Sequence, residues 1–227
     1  MMVKRALAVL ILVSTLIAPA TAQTKIPNLG ELKLRLHEYK KSGAYDRDVA
    51  AVMALARKHI ERRAPQVAKP AIVLDIDETS LLNWPEMVAN DFGYVPAGPC
   101  DNLPSGPCGV RAWEMSARAE AIAPTLALYK AAKAKNVAVF FITGRPENER
   151  DGTEKNLRGV GYADFQGLAM RPAGNTNPAA TFKSSERKKI VDQGYAIIAN
   201  IGDQNSDLAG GYAEKTFKVP NPFYLVP

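Results

Sequence analysis

Cysteine, histidine and tryptophan each occur only twice in the 227 residues. The histidines, His37 and His59, lie far in sequence from Cys100 and Cys108, so the clustered sulfur and nitrogen donors of a zinc site are missing. There is no low-complexity tract and no internal repeat, which argues against a disordered chain or a solenoid. The formal charge is +6 without a dense basic stripe, so nucleic acid is not an expected partner. A membrane-spanning run is lacking too. The apolar stretch Ala6–Ala18 falls short of the roughly 20 residues a span needs.

That stretch has another reading. Lys4 and Arg5 precede it, and Ala20-Thr21-Ala22 follows it. Basic, apolar and small-residue segments in that order predict an export signal over residues 1–22, cleaved after Ala22. Without Lys4 and Arg5 the remaining chain is near +4, a mild attraction for anions or a plain solubilising surface. Cys100 and Cys108 flank a loop of turn formers. An exported chain meets an oxidising compartment, where such a pair can close a disulfide; two free thiols are the alternative. Closure of so short a loop stabilises by roughly 2–3 kcal/mol in the chain-entropy account.

Along the chain, two helical patterns come first, Leu29–Lys41 and Asp46–Arg63, with Asp46 as N-cap. Val49, Val52, Met53, Ala56 and Ile60 recur at helical spacing. Three short apolar runs then stand out: Ala71–Leu74, Val137–Ile142 and Ala196–Ile201. Each suits a strand buried on both faces. Helical segments lie near residues 121–135, 146–160 and 184–193, and shorter strand candidates near 168–170 and 216–219. Strands alternating with helices predict an α/β fold, a Rossmann-like parallel sheet flanked by helices. Residues 83–120, rich in proline, glycine and aromatics, break the rhythm and read as a small, mainly helical cap. The expected organisation is a signal over 1–22, N-terminal helices over 23–70 packing with the cap, a core of 71–82 and 121–227, and the cap insertion between. Trp84, Phe92, Tyr94 and Trp113 lie in that insertion, where filling its core is the preferred role over stacking on a ligand.

Each of the three apolar runs ends in polar residues: Asp75-Ile-Asp77-Glu78-Thr79, Thr143-Gly144-Arg145, and Gly202-Asp203 followed by Asp207. In a parallel sheet these tips share one edge, where ligands bind. That would gather Asp75, Asp77, Asp203 and Asp207 into a small volume. Close carboxylates repel one another unless a cation intervenes. Oxygen donors alone point to a hard ion such as Mg²⁺. One carboxylate can attack phosphorus while another handles the leaving-group proton. Thr143 offers a hydroxyl to phosphate oxygens and Gly144 permits close backbone approach. Lys183 stands before Ser184, an expected N-cap, which would put an ammonium beside a helix N-terminus suited to phosphate.

These residues resemble a known family. Asp75-x-Asp77-x-Thr79 is similar to motif one of the haloacid dehalogenase superfamily, Phe141-Ile-Thr143-Gly144-Arg145 to motif two, Lys183 to motif three, and Gly202-Asp203-x-x-x-Asp207 to motif four. Leu74–Thr79, Thr153-x-x-Asn156-Leu157 and Gly161-Tyr162 resemble the secreted acid phosphatase branch, which includes bacterial acid phosphatases and plant vegetative storage proteins. Phe182-Lys183-Ser184, Asn200–Gln204 and Phe217–Tyr224 look most like the plant-type members. The resemblance implies Asp75 as nucleophile, Asp77 as acid and base, and phosphate held by Thr143, Gly144 and Lys183. It also implies Mg²⁺ held by the Asp75 carboxylate, the Asp77 backbone carbonyl and Asp203, with Asp207 supporting the metal's waters or Lys183.

The implied activity is a secreted or periplasmic, Mg²⁺-dependent acid phosphatase that acts on small phosphomonoesters. A phosphotransferase to alcohol acceptors and a storage or binding protein with weak turnover are the rivals. Acceptor competition separates the first, and the intact Asp75, Asp77, Lys183 and Asp203 weigh against the second. A histidine acid phosphatase is disfavoured because neither histidine stands in an Arg-His-Gly context. The lipid-anchored bacterial members carry a cysteine at the mature N-terminus; none stands near Ala22, so no membrane anchor is expected. A homo-oligomer is admissible.

Overall fold

The computed structural model of the chain describes residues 26–226, so the expected signal over 1–22 lies outside the described residues. In chain order the helices are α1 (Leu29–Lys41), α2 (Ala44–Arg63), α3 (Trp84–Ala89), α4 (Val110–Ser116), α5 (Ala123–Lys133), α6 (Arg150–Gly159), α7 (Ala179–Asp192) and α8 (Asn205–Leu208). The strands are β1 (Pro70–Leu74), β2 (Leu81–Leu82), β3 (Glu120–Ala121), β4 (Ala138–Pro146), β5 (Gly167–Arg171), β6 (Ala196–Gly202) and β7 (Thr216–Lys218). Five of them form a parallel sheet in the order β5-β4-β1-β6-β7.

The apolar runs explain the layers. On β1, Ile72 and Leu74 belong to one hydrophobic cluster and Ala71 and Val73 to another. On β4, Val139 and Phe141 face the first cluster, Phe140 and Ile142 the second. Alternate side chains are therefore buried on both faces, as helices on both sides require. Each fully buried Leu, Ile or Phe stabilises the fold by about 1.5–3 kcal/mol. Helix α2 supplies Tyr45, Val49, Met53, Ala56 and Ile60 to the larger cluster. His59 packs here as well, its Nε2 within 2.9 Å of the Ile198 carbonyl oxygen.

Two helix starts differ from the expectation. Helix α2 begins at Ala44 after Gly43, whose φ of +72° makes the tight turn from α1, so Asp46 sits in the first turn and pairs with Lys40 at 2.7 Å. Helix α7 begins at Ala179, with Pro178 as N-cap. Proline has no N–H to continue a helix backward, and Ala179 and Ala180 are strong formers. Lys183 is therefore in the second turn of α7 and not at its N-terminus. Ser184, expected as the cap, instead donates its hydroxyl to the Gly210 carbonyl at 2.7 Å.

The chain leaves the core after β2 and returns through β3; the two pair antiparallel, Leu81 with Ala121 and Leu82 with Glu120. Between them lie α3, α4 and the Cys100–Cys108 disulfide. Asn90 ties the disulfide loop to α3, accepting from the Cys108 N–H at 2.8 Å and donating to its carbonyl at 2.7 Å. Helix α1 reaches this segment through Lys33–Asp91, at 2.5 Å, and through His37, whose ring lies against Trp84 and Phe92. Helix α2 packs instead on α5 and β6. No helix among the described residues is long and apolar enough to cross a membrane.

Candidate active site

The register levels the strand tips. Leu74 pairs with Phe141 on one side and Ile201 on the other, so the residues after β1, within the end of β4 and after β6 meet at one edge. Asp75 extends the ladder by donating its N–H to the Ile201 carbonyl at 2.9 Å. The chain then turns tightly. Ser80 Oγ donates to the Asp75 carbonyl at 2.6 Å, and Thr79 Oγ1 donates to Asp203 Oδ1 at 3.1 Å. The Asp203 Oδ2 atom accepts from Gln204 Nε2 at 2.6 Å and from Asn221 Nδ2 at 2.7 Å.

Helix α8 brings in Asp207. Its Oδ2 accepts the Gln204 N–H at 2.8 Å, one half of a capping box. A Cβ at Gly202 would stand 2.4 Å from the Asp207 Cβ, so this close approach requires glycine. From α7, Lys183 Nζ donates to Asp75 Oδ1 at 2.5 Å and to Asp207 Oδ1 at 2.6 Å. One turn further along α7, Arg187 is fully buried and holds the α8 region by its backbone, donating to the carbonyls of Asp207 at 2.7 Å and Gly211 at 2.8 Å.

Asp75, Asp203 and Asp207 are all buried, and one carboxylate oxygen from each lies within 4.8 Å of the others. Among the described residues Lys183 is the one ammonium that pairs with the carboxylates of this cluster, while Lys218 Nζ donates to the Asp203 backbone carbonyl at 2.6 Å. Burial pushes Asp75 well above the usual carboxylate range, Asp207 adds to this, and Lys183 only partly offsets it. Burial and Asp207 likewise raise Asp203. Burial opposes the Lys183 charge, but Asp75 and Asp207 outweigh it and hold the ammonium above its ordinary value. The cluster is short of positive charge, and its donors are all oxygen. That donor set fits a divalent hard metal ion.

Asp77 belongs to a second cluster. Its carboxylate accepts from Arg145 at 2.6 Å and from Asn83 Nδ2 at 2.8 Å. Burial raises Asp77, but the Arg145 charge and these hydrogen bonds prevail and hold it below the usual range. Arg145 is buried and also approaches Glu114 at 3.3 Å. Burial lifts Glu114 to about 10, with Arg145 opposing and Asp77 and Glu149 reinforcing. Thr143 is fully buried, its Oγ1 accepting the Arg145 N–H at 3.1 Å, while Gly144 is exposed beside open space. Of the predicted residues, Asp75, Lys183, Asp203 and Asp207 come into mutual contact or near it; Asp77 lies at the same cavity with a different partner.

Both clusters border a cavity of about 670 Å³, whose walls include Trp113, Glu114, Glu149 and Tyr224. Sequence reasoning assigned no role to Asn83, Glu114, Glu149 or Asn221. Arg145 was part of a quoted motif without a task. The signal for it was its place two residues past Thr143 at a strand end, where the other site residues also stand.

The family described as HAD superfamily, subfamily IIIB (Acid phosphatase), matches residues 12–227. Acid phosphatase 1 of Solanum lycopersicum is 32% identical over 156 residues, which cover 68% of this chain and 58% of that protein. Vegetative storage protein 1 of Arabidopsis thaliana is 30% identical over 156 residues, covering 68% of this chain and 55% of that protein. The aligned stretch thus spans little more than half the length of these curated relatives. Among solved structures, the class C acid phosphatase of Bacillus anthracis superposes with a TM-score of 0.67 at 23% identity, covering 87% of this chain and 85% of that one, a likeness of fold. The motif residues at one sheet edge and a family match across nearly the whole chain agree: the chain belongs to the HAD superfamily, subfamily IIIB, the acid phosphatases.

Proposed function

We propose that this chain hydrolyses small phosphate monoesters, with Asp75 as nucleophile and Mg²⁺ as the ion. The observation that carries the reading is the contact of Lys183 with both Asp75 and Asp207 beside Asp203, three buried carboxylates around one ammonium. The Asp75 and Asp203 carboxylates and the Asp77 carbonyl would hold the ion, which when bound neutralises excess negative charge and favours the ionised form of Asp75.

The chain's own groups then perform the rest. A carboxylate oxygen of Asp75 attacks phosphorus, and the ester P–O bond breaks as Asp77 gives its proton to the departing alkoxide. By itself Arg145 holds Asp77 ionised. The negative charge of a bound phosphate acts in the opposite direction and raises its affinity for the proton. Asp77 next takes a proton from water, whose oxygen attacks the phosphorus. The bond to Asp75 breaks, and inorganic phosphate leaves. Lys183, the Thr143 hydroxyl and the Gly144 backbone serve the non-bridging oxygens.

We also read residues 83–120 as a cap over a core of 71–82 and 121–227, and residues 1–22 as a signal for export. The Cys100–Cys108 disulfide supports an oxidising destination.

Asp75→Asn tests the assignment. It should lower phosphate release by about a thousandfold or more while far-UV circular dichroism stays unchanged. Near-normal release would contradict it. The likeness to vegetative storage proteins favours a second reading, storage with weak turnover. A wild-type chain that releases no phosphate from any monoester in a panel, with Mg²⁺ present, would support that reading instead.

A further inference from the structure

Asn83 stands between Asp77 and the inserted segment. The tight turn after β1 brings it to the site. The Ser80 and Leu81 N–H groups both donate to the Ile76 carbonyl at 2.8 Å, and the Asn83 N–H donates to Glu78 Oε1 at 2.8 Å. Glu78 is fixed in turn by the Tyr224 hydroxyl, which donates to it from a C-terminal segment that Asn221 ties to Asp203. The Asn83 side chain is buried, so its polar atoms need partners within the protein.

Those partners let the amide face only one way. Trp113 Nε1–H donates to Asn83 Oδ1 at 2.8 Å. An indole N–H donates and never accepts, so the amide oxygen must take that side. The amide nitrogen therefore points at Asp77, donating to Oδ1 at 2.8 Å, with Glu78 Oε2 at 3.4 Å. Trp113 is buried on α4, so the inserted segment decides how Asn83 is turned.

The two oxygens of Asp77 become unequal as a result. Oδ1 accepts from Asn83 Nδ2 at 2.8 Å and from Arg145 Nη2 at 2.6 Å. Among the described residues Oδ2 has one donor, Arg145 Nε at 3.1 Å, which also lies 3.2 Å from Oδ1. A hydrogen bond accepted by a carboxylate oxygen favours its unprotonated form, so the proton belongs on the oxygen with fewer donors.

We propose that Asn83, locked in orientation by Trp113, is a positioning residue that anchors Oδ1 of Asp77 and leaves Oδ2 to carry the proton to the departing alcohol. The inference rests on the phosphomonoesterase reading of the same cavity. As an Asp75 oxygen bonds phosphorus and the ester P–O bond breaks, the proton on Oδ2 passes to the ester oxygen. The alcohol leaves neutral, and Asp77 is left as a carboxylate. Without Asn83 the carboxyl group can rotate away from the leaving group, and a small misplacement of an acid is costly.

The test uses leaving groups that need the proton unequally. Benzyl phosphate and 4-nitrophenyl phosphate are similar in size, but benzyl alkoxide leaves poorly and 4-nitrophenolate leaves with little help. The ratio kcat/KM reports the steps up to the first P–O cleavage, where the proton is given. In Asn83→Ala, assayed as the full chain with Mg²⁺, kcat/KM should fall at least about tenfold further for benzyl phosphate than for 4-nitrophenyl phosphate. That split is part of the roughly 10²–10⁴-fold that a positioned acid supplies. Trp113→Phe keeps an aromatic ring on α4 but removes the N–H, which frees the amide to turn. It should show the same split at about threefold or more. Circular dichroism checks the fold, and if Asn83→Ala does not fold, Trp113→Phe carries the test. An equal loss with both esters, as a merely structural role would give, overturns the proposal and leaves the hydrolase reading standing. So does an undiminished kcat/KM for benzyl phosphate in either folded variant. No phosphate release from either ester by the wild type would overturn both.

Discussion

Two charged clusters share one cavity and are built on opposite principles. At the sheet edge, Lys183 is the one ammonium among the described residues that bridges the carboxylates of Asp75 and Asp207 beside Asp203, and burial and mutual repulsion raise Asp75 and Asp203. Beside it, Arg145 lies between Asp77 and Glu114; Asp77 is held ionised and burial keeps the proton on Glu114. The second cluster, taken as Asp77, Arg145 and Glu114, is near neutrality by itself. The first is not, and that imbalance marks where a cation and an anionic phosphoryl group belong. A balanced buried cluster positions side chains; an unbalanced one invites a ligand.

The comparison can be broken by removing the cation from each cluster. Lys183→Met leaves three buried carboxylates without their ammonium and should cost about 3–5 kcal/mol of stability, together with nearly all activity. Urea denaturation with and without Mg²⁺ measures this, and the loss should shrink when the ion is present. A variant as stable as the wild type without metal would deny the imbalance. Arg145→Met should cost less, about 3 kcal/mol or under, because Asn83 still bonds Asp77 and Glu114 is neutral. Its turnover should fall by about a hundredfold or less, through misplacement of Asp77. A larger stability loss than in Lys183→Met would reverse the ranking.

A smaller effect sharpens the account of the balanced cluster. Glu114 holds its proton up to about 10 when folded, against 4.5 ordinarily. The folded chain therefore binds more protons than the unfolded one across that window, so this group's contribution to stability declines as pH rises. Glu114→Gln, uncharged throughout, is free of that decline beside Arg145, Asp77 and Glu149. Its melting temperature should exceed the wild type's by a few degrees more at about pH 8 than at about pH 5. Parallel pH profiles for the two proteins would count against a protonated Glu114.

Asp75 and Asp203 of the sheet-edge cluster were legible in the sequence because each follows an apolar run that can hardly be anything but a buried strand. Ala71–Leu74 points to Asp75 and Ala196–Ile201 points to Asp203, and parallel topology joins them. The Cys100–Cys108 pair was legible from its loop and its predicted compartment. The Arg145 cluster was not legible. Its contacts join residues 68 apart, Asp77 and Arg145, and an insertion with no periodicity. Whether Asp77 turns to a metal or to a guanidinium depends on packing that no local pattern encodes. The start of α7 was misplaced for a related reason: serine is the stronger cap signal, yet Pro178 and two alanines begin the helix five residues earlier, and Ser184 binds Gly210. The anchoring of segment 221–226 across Asp203, Glu78 and Gln204 is likewise a tertiary fact.

The most direct test of the contrast between the clusters is calorimetric titration of Mg²⁺ into the wild type, Asp203→Asn and Arg145→Met. The account predicts one site in the wild type, its loss or a large weakening in Asp203→Asn, and its retention in Arg145→Met. Binding that survives Asp203→Asn and disappears in Arg145→Met would place the ion at the wrong cluster and contradict the account.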